Sequence, residues 1–162
     1  MEAFDQAMVT AAAPEEVWKL LYDPARFPDW WAGVGSVQPG GETGDYTMYP
    51  EGYPDFPMPQ ALTSSQDNGT VKISCLVSDL CFTWRLRPAG HGTEISVHVE
   101  IPDHEAHRLE TQRDIIRRSV ANLAGLAAGQ PGQPGQPRQP GQPRQPGQSR
   151  QPGQPAIPPD PA

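Results

Sequence analysis

Three consecutive stretches, TVKISCLVS from Thr70, CFTWRLRP from Cys81 and TEISVHVEI from Thr93, alternate apolar and polar residues with a period of two. That pattern predicts β-strands with one dry and one wet face. Val71, Ile73, Cys75 and Val77 fall on one side of the first, Phe82, Trp84 and Leu86 of the second, and Ile95, Val97, Val99 and Ile101 of the third. The connectors QDNG and PAGHG carry hairpin-turn residues. Symmetric closure of the second places Trp84 opposite Val97, Leu86 opposite Ile95 and Arg87 opposite Glu94. A sheet with one dry face needs an apolar cover.

The cover is the segment 104–128, where Leu109, Ile116, Val120, Leu123 and Ala127 draw an apolar stripe at helical spacing. Asp103 is its expected N-cap. Before the strands, AFDQAMVTAAA reads as a first strand and Pro14, Glu15 and Glu16 as the start of a short helix that ends at Asp23-Pro24. PARFPDWWAG reads as a second short helix closed by Gly33 at positive φ. Two tryptophans in sequence on a helix point about 100° apart and cannot bury against the same partner. The plain reading is two core anchors, since aromatics bury large areas wherever they sit. In YPEGYPDFPMPQ, residues 49–60, four prolines exclude a central strand. Its aromatics fit a lid, a docking strip or an irregular protective edge.

Composition divides the chain at Gly129. Residues 1 to 128 hold every Trp, Tyr, Phe, Cys and Met, whereas 129–162 repeat Gln, Pro, Gly and Arg in triplets. Arg138, Arg144 and Arg150 occupy the column where a collagen helix requires glycine, so a disordered tail is expected. It serves as spacer, solubiliser or weak proline-rich docking site for a protein, or is repeat slippage without function. The first 128 residues carry 18 of the 19 acids but 9 of the 12 Lys and Arg. That acidic balance disfavours a nucleic-acid partner. No long apolar run predicts an integral membrane segment, and the N-terminus lacks a basic start and apolar core, so a cytoplasmic protein is expected. Cys75 and Cys81 read as buried thiols, not a redox pair. His104 and His107 stand three apart but lack a third ligand at convincing spacing, so no metal or other cofactor is expected. His98 and His91 read as surface residues.

Several stretches resemble the START-related, helix-grip superfamily often labelled SRPBCC, in particular its bacterial polyketide-cyclase-like and lipid-transport-like members. They are AAAPEEVWKLLYDPARFPDWWAGV, CFTWRLRPAGHGTEISVHVEI and the closing EAHRLETQRDIIRRSVANLAGLAA, in that element order, within residues 1–128. The resemblance implies an α+β helix-grip fold, a curved antiparallel sheet wrapped around a long C-terminal helix, with two short helices near the N-terminus. It further implies an apolar cavity for a small hydrophobic molecule. Trp30, Trp31 and Tyr49 are then expected at the cavity. Sheet positions Ile73, Cys75, Phe82, Trp84, Val97 and Val99 would line it from one side. Helix positions Leu109, Gln112, Arg113 and Ile116 would line it from the other. Few of these exchange protons, and no catalytic residue is assigned. Binding or transport of a lipid or polyketide-like ligand is the leading reading. A polyketide cyclase or aromatase using the same pocket, and a protein-binding module resembling chaperone ATPase activator homologues, are the alternatives. On the pocket reading, Trp84→Ala disturbs ligand uptake more than Trp18→Ala, which chiefly lowers the melting temperature.

Overall fold

The computed structural model describes residues 1–41 and 44–129. The repeat tail beyond them, expected to be disordered, lies outside the described residues. β1 (Glu2–Thr10) leads to α1 (Pro14–Leu21), a 3₁₀ helix (Pro24–Asp29), β2 (Val34–Pro39), β3 (Tyr46–Pro50) and β4 (Met58–Ser65). Then come β5 (Thr70–Cys75), β6 (Cys81–Ala89), β7 (Gly92–Ile101), a second 3₁₀ helix (Asp103–Arg108) and α2 (Leu109–Ala127). The strands form one seven-stranded antiparallel sheet in the order β1-β7-β6-β5-β4-β3-β2. This is the α+β helix-grip architecture. No helix among the described residues is long and apolar enough to cross a membrane.

The hairpin of β6 and β7 has the expected register: Trp84 pairs with Val97, Leu86 with Ile95 and Arg87 with Glu94. Its turn works because Gly90 adopts φ 59°, which costs glycine no steric penalty. α1 begins with Pro14 and buries Val17, Leu20 and Leu21, while Trp18 stacks on Tyr22 at 5.8 Å, outside the fully buried core. α2 buries Ile116, Ser119, Val120, Leu123 and Ala124. It packs mainly on β1, where Thr10 Oγ1 donates to the Ala124 carbonyl at 2.8 Å.

Four expectations are corrected. The second short helix stops at Asp29 as a 3₁₀ element, because Pro28 inside it has no N–H to continue an α-helical ladder. Gly33 does take positive φ, 88°, but beyond that end. Asp103 does not cap the last helix; its carboxylate binds the Met1 ammonium, and a 3₁₀ helix precedes the α-helical part. β5 ends at Cys75, and Val77 is exposed in a tight connection to β6 held by Cys75 N–H donating to the Leu80 carbonyl at 2.9 Å. Finally, β4 is a central strand despite Pro59. Pro59 stands near its start, where its carbonyl accepts from Leu76 N–H at 3.0 Å beyond the last β4–β5 pair. The missing donor therefore costs no ladder bond.

On the wet face His98 Nδ1 lies 2.8 Å from Asp5 Oδ1, its cross-strand partner. The hydrogen bond to Asp5 raises the imidazole above its ordinary 6.5. A raised folded value adds stability that is complete below pH 6.5 and is lost as the pH climbs through the folded value. The stability gap between the wild type and His98→Gln is therefore larger at about pH 5.5 than at about pH 8, measured by urea unfolding at both. Packing is tightest at Gly92, where an added Cβ would stand 1.9 Å from the Thr10 carbonyl oxygen. Gly92→Ala is expected to lower unfolding free energy by about 1–3 kcal/mol in the same assay.

Candidate functional site

The segment after Asp29 decides how the interior is filled. Trp30 and Trp31 lie past the helix end, so the helical rotation between neighbours does not apply. Their rings stack at 5.3 Å, and both meet Trp84 edge-on, at 5.2 and 5.4 Å. The expectation that they could not share a partner is thus corrected: a non-helical step at Trp30, φ −139° and ψ −26°, lets both turn inward. Trp30 Nε1 donates to the Leu20 carbonyl at 2.9 Å, and Asn122 Nδ2 donates to the Trp30 carbonyl at 3.1 Å. Ser119 Oγ accepts from Ala32 N–H at 2.9 Å. The double tryptophan is thereby bolted to α1 on one side and α2 on the other.

Beyond Trp31 the sheet and α2 do not meet. They leave a cavity of about 490 Å³. One wall comes from strands β3 to β6, including Tyr46, Met48, Met58, Gln60 and Phe82; the other from Arg108, Thr111, Gln112 and Ile115 of the helical segment. The cause is a rotation of faces along α2. Its apolar stripe from Ile116 onward fills the half of the sheet near β1, whereas nearer its start the cavity-facing positions are polar or short of the sheet. Exposed Tyr53 (66 %) and Phe56 (54 %) border the cavity from the loop before β4.

Of the positions expected at the cavity, Trp31, Cys75, Phe82 and Gln112 line it. Trp30, Ile73, Trp84, Val97, Val99 and Ile116 are buried in the packed core and do not, because α2 covers that part of the sheet. Tyr49 is half-buried on β3, one residue out of phase with Tyr46 and Met48. Leu109 packs against the core edge. Arg113 is exposed, its guanidinium 5.5 Å over the Phe4 ring and 3.6 Å from Glu110. Tyr46, Met48, Met58 and Gln60 were not among the expected lining: the prolines hid β4, and β3, at five residues, is too short to show a period.

The polar inventory is small. Tyr46 is 5 % exposed, and burial first, with the Cys75 thiol second, pushes its phenol well above the usual tyrosine range. Gln60 is buried and donates from Nε2 to the Met58 carbonyl at 3.1 Å. Arg108 pairs with the Glu105 carboxylate. Cys75 is a buried free thiol; Cys81, half-buried on the opposite face, has its Sγ 3.7 Å from Ser74 Oγ. Among the described residues no three His, Cys, Asp or Glu side chains come together to hold a metal. His104 Nε2 instead lies 3.8 Å from Asp79 Oδ2.

A curved sheet gripping one long helix, with a chamber left between them, defines the class: a helix-grip protein of the SRPBCC type. The chain belongs to the polyketide cyclase / dehydrase and lipid transport family, whose model matches residues 1–128. No protein of curated function matches its sequence. Among solved structures it is similar to the XoxI protein from Bacillus cereus, at 16 % identity and TM-score 0.63, over 76 % of this chain and 94 % of that one. It is similar to the di-domain ARO/CYC BexL of the BE-7585A biosynthetic pathway, at 13 % identity and TM-score 0.64, over 76 % of this chain and 45 % of that one. A Thermobifida fusca protein solved by NMR matches at 12 % identity and TM-score 0.65, over 80 % and 95 %. At these identities the likeness speaks for the fold.

The placement of Trp84 changes what its truncation should do. With the side chain fully buried behind Trp31, Trp84→Ala is expected to cost about 3–5 kcal/mol of stability. Trp18→Ala, at a partly buried stack, should cost less than about 2 kcal/mol. Urea unfolding of both variants checks this; equal losses would contradict the assignment of Trp84 to the packed core.

Proposed function

We propose that residues 1–128 bind a small hydrophobic molecule in the chamber between α2 and strands β3 to β6. The observation that carries this reading is the volume, about 490 Å³, in the usual range of small-molecule sites. Its lining is mostly apolar and aromatic, with few polar groups. The family's description, which includes lipid transport, supports the same reading.

Cyclase or aromatase chemistry is the second reading, and Tyr46 is the observation in its favour. A general acid or base works best with a pKa near the operating pH, whereas burial moves Tyr46 away from it. Its phenol therefore suits hydrogen bonding better than proton transfer. A module binding protein through the sheet exterior would need no chamber. The exposed Tyr53 and Phe56 border the chamber, so they fit an entrance.

Native mass spectrometry of the full chain purified without detergent tests the proposal. The expected result is a one-to-one adduct of lipid or polyketide size. Met48→Trp, which pushes an indole into the chamber, should weaken affinity about tenfold, equivalent to roughly 1.4 kcal/mol, and so lower the adduct fraction. Clean apo protein that also ignores hydrophobic dyes would overturn it.

A further inference from the structure

Tyr46 on β3 pairs directly with Gln60 on β4, and Gln60 pairs directly with Cys75 on β5. All three are buried, and all three line the chamber. Facing side chains on paired strands have Cβ atoms about 4.5–5.5 Å apart, so a hydroxyl, an amide and a thiol form a row about 10 Å long. Met48, Met58, Leu80 and Phe82 surround the row with apolar surface.

The row has hydrogen-bonding capacity to spare. Among the described residues, no group is recorded as a hydrogen-bond partner of the Tyr46 hydroxyl, and Gln60 makes only the Nε2 bond to Met58. The free atoms of neither side chain are sealed in the core, in contrast to the Trp84 indole N–H, and both side chains line the chamber; their free valences therefore open toward it. Buried polar groups in folded proteins are rarely left unpaired. A phenol kept protonated by burial remains a donor, and an amide oxygen remains an acceptor.

The charge balance limits what can answer them. Arg108 is the only charged side chain among the described lining residues, and Glu105 already pairs it. A carboxylate entering would lose its hydration without gaining a free cation, a heavy cost in an apolar site.

Building on the ligand-binding reading, we propose that the ligand is a neutral hydrophobic compound whose hydroxyl or carbonyl groups lie along Tyr46, Gln60 and Cys75, and that the row excludes carboxylates such as free fatty acids. Tyr46 donates to the ligand oxygen, and Gln60 Oε1 accepts from a ligand hydroxyl.

The test is fluorescence titration of the full chain with pyrene, 1-hydroxypyrene and 1-pyrenecarboxylate at about pH 6.5, where a phenol is neutral and a carboxylate charged. In the wild type, 1-hydroxypyrene should bind about 5- to 10-fold more tightly than pyrene and at least about 10-fold more tightly than the carboxylate. Tyr46→Phe should bring the ratio of hydroxypyrene to pyrene affinity to within about twofold of one, with its thermal unfolding recorded to show a folded chain. Gln60→Met should lower the same ratio. Tightest binding of the carboxylate, or a preference that survives in both variants, would overturn the proposal. Equal binding of all three probes would overturn the polar row and leave the chamber reading standing; no binding of any would overturn both.

Discussion

The rest of the structure depends on one aromatic junction. Trp30, Trp31, Trp84, Phe27 and Phe82 meet at centroid separations of 5.2 to 5.4 Å, in stacked, tilted and edge-on pairs. Such geometries add to the burial each ring already gains. The cluster joins the sheet to α1 through the Trp30 indole and to α2 through the Trp30 carbonyl. It also carries a cost, since the Trp84 indole N–H is buried without a hydrogen-bond partner in the described residues. A donor left so is expensive, and tolerating it implies that the rings' packing outweighs it.

That junction divides the interior into two regimes. On the β1 side, α2 lies close enough for Thr10 to reach the Ala124 carbonyl, and the space is solid. On the β3 side, Trp31 and Phe82, edge-on at 5.2 Å, form the last packed layer before the chamber. A stiff partition of large rings holds the chamber open because a close-packed interior has low compressibility and resists collapse into the space beside it. The same rings present apolar surface to whatever enters.

The sequence made the fold legible where a strict period ran unbroken. β6, β7 and the stripe from Ile116 to Leu123 read correctly because one face of each is buried along its length, so a one-residue slip would expose the whole face. β5 reads three residues too long, because Leu76 to Ser78 continue the alternation into the connection to β6. The register at Trp84 and Val97 follows from the turn at Gly90. The site was less legible. Alternation says that Trp84 and Cys75 both point inward, but not that one meets a tryptophan while the other meets empty space. That difference arises from where α2 leaves the sheet, a property of the whole fold. Gln60 lay beside Pro59, and the proline rule, sound for a strand interior, masked it because that proline sits near the start of β4; Tyr46 lay before the proline-rich stretch, in a strand of five residues, too short to show a period.

The polar content of the chamber follows from the same geometry. A half-buried strand normally places polar side chains on its wet face, and Thr47 and Ser74 obey by standing out of phase with the buried positions. Tyr46, Gln60 and Cys75 stand instead on the dry face, at one register position across three strands. In a filled core an amide there would need a protein partner for each valence. Beside a chamber, the need passes to the occupant. A fold that stops short of closing its interior can therefore hold polar groups that a closed core would select against, and their order across the strands becomes a property of the ligand it admits.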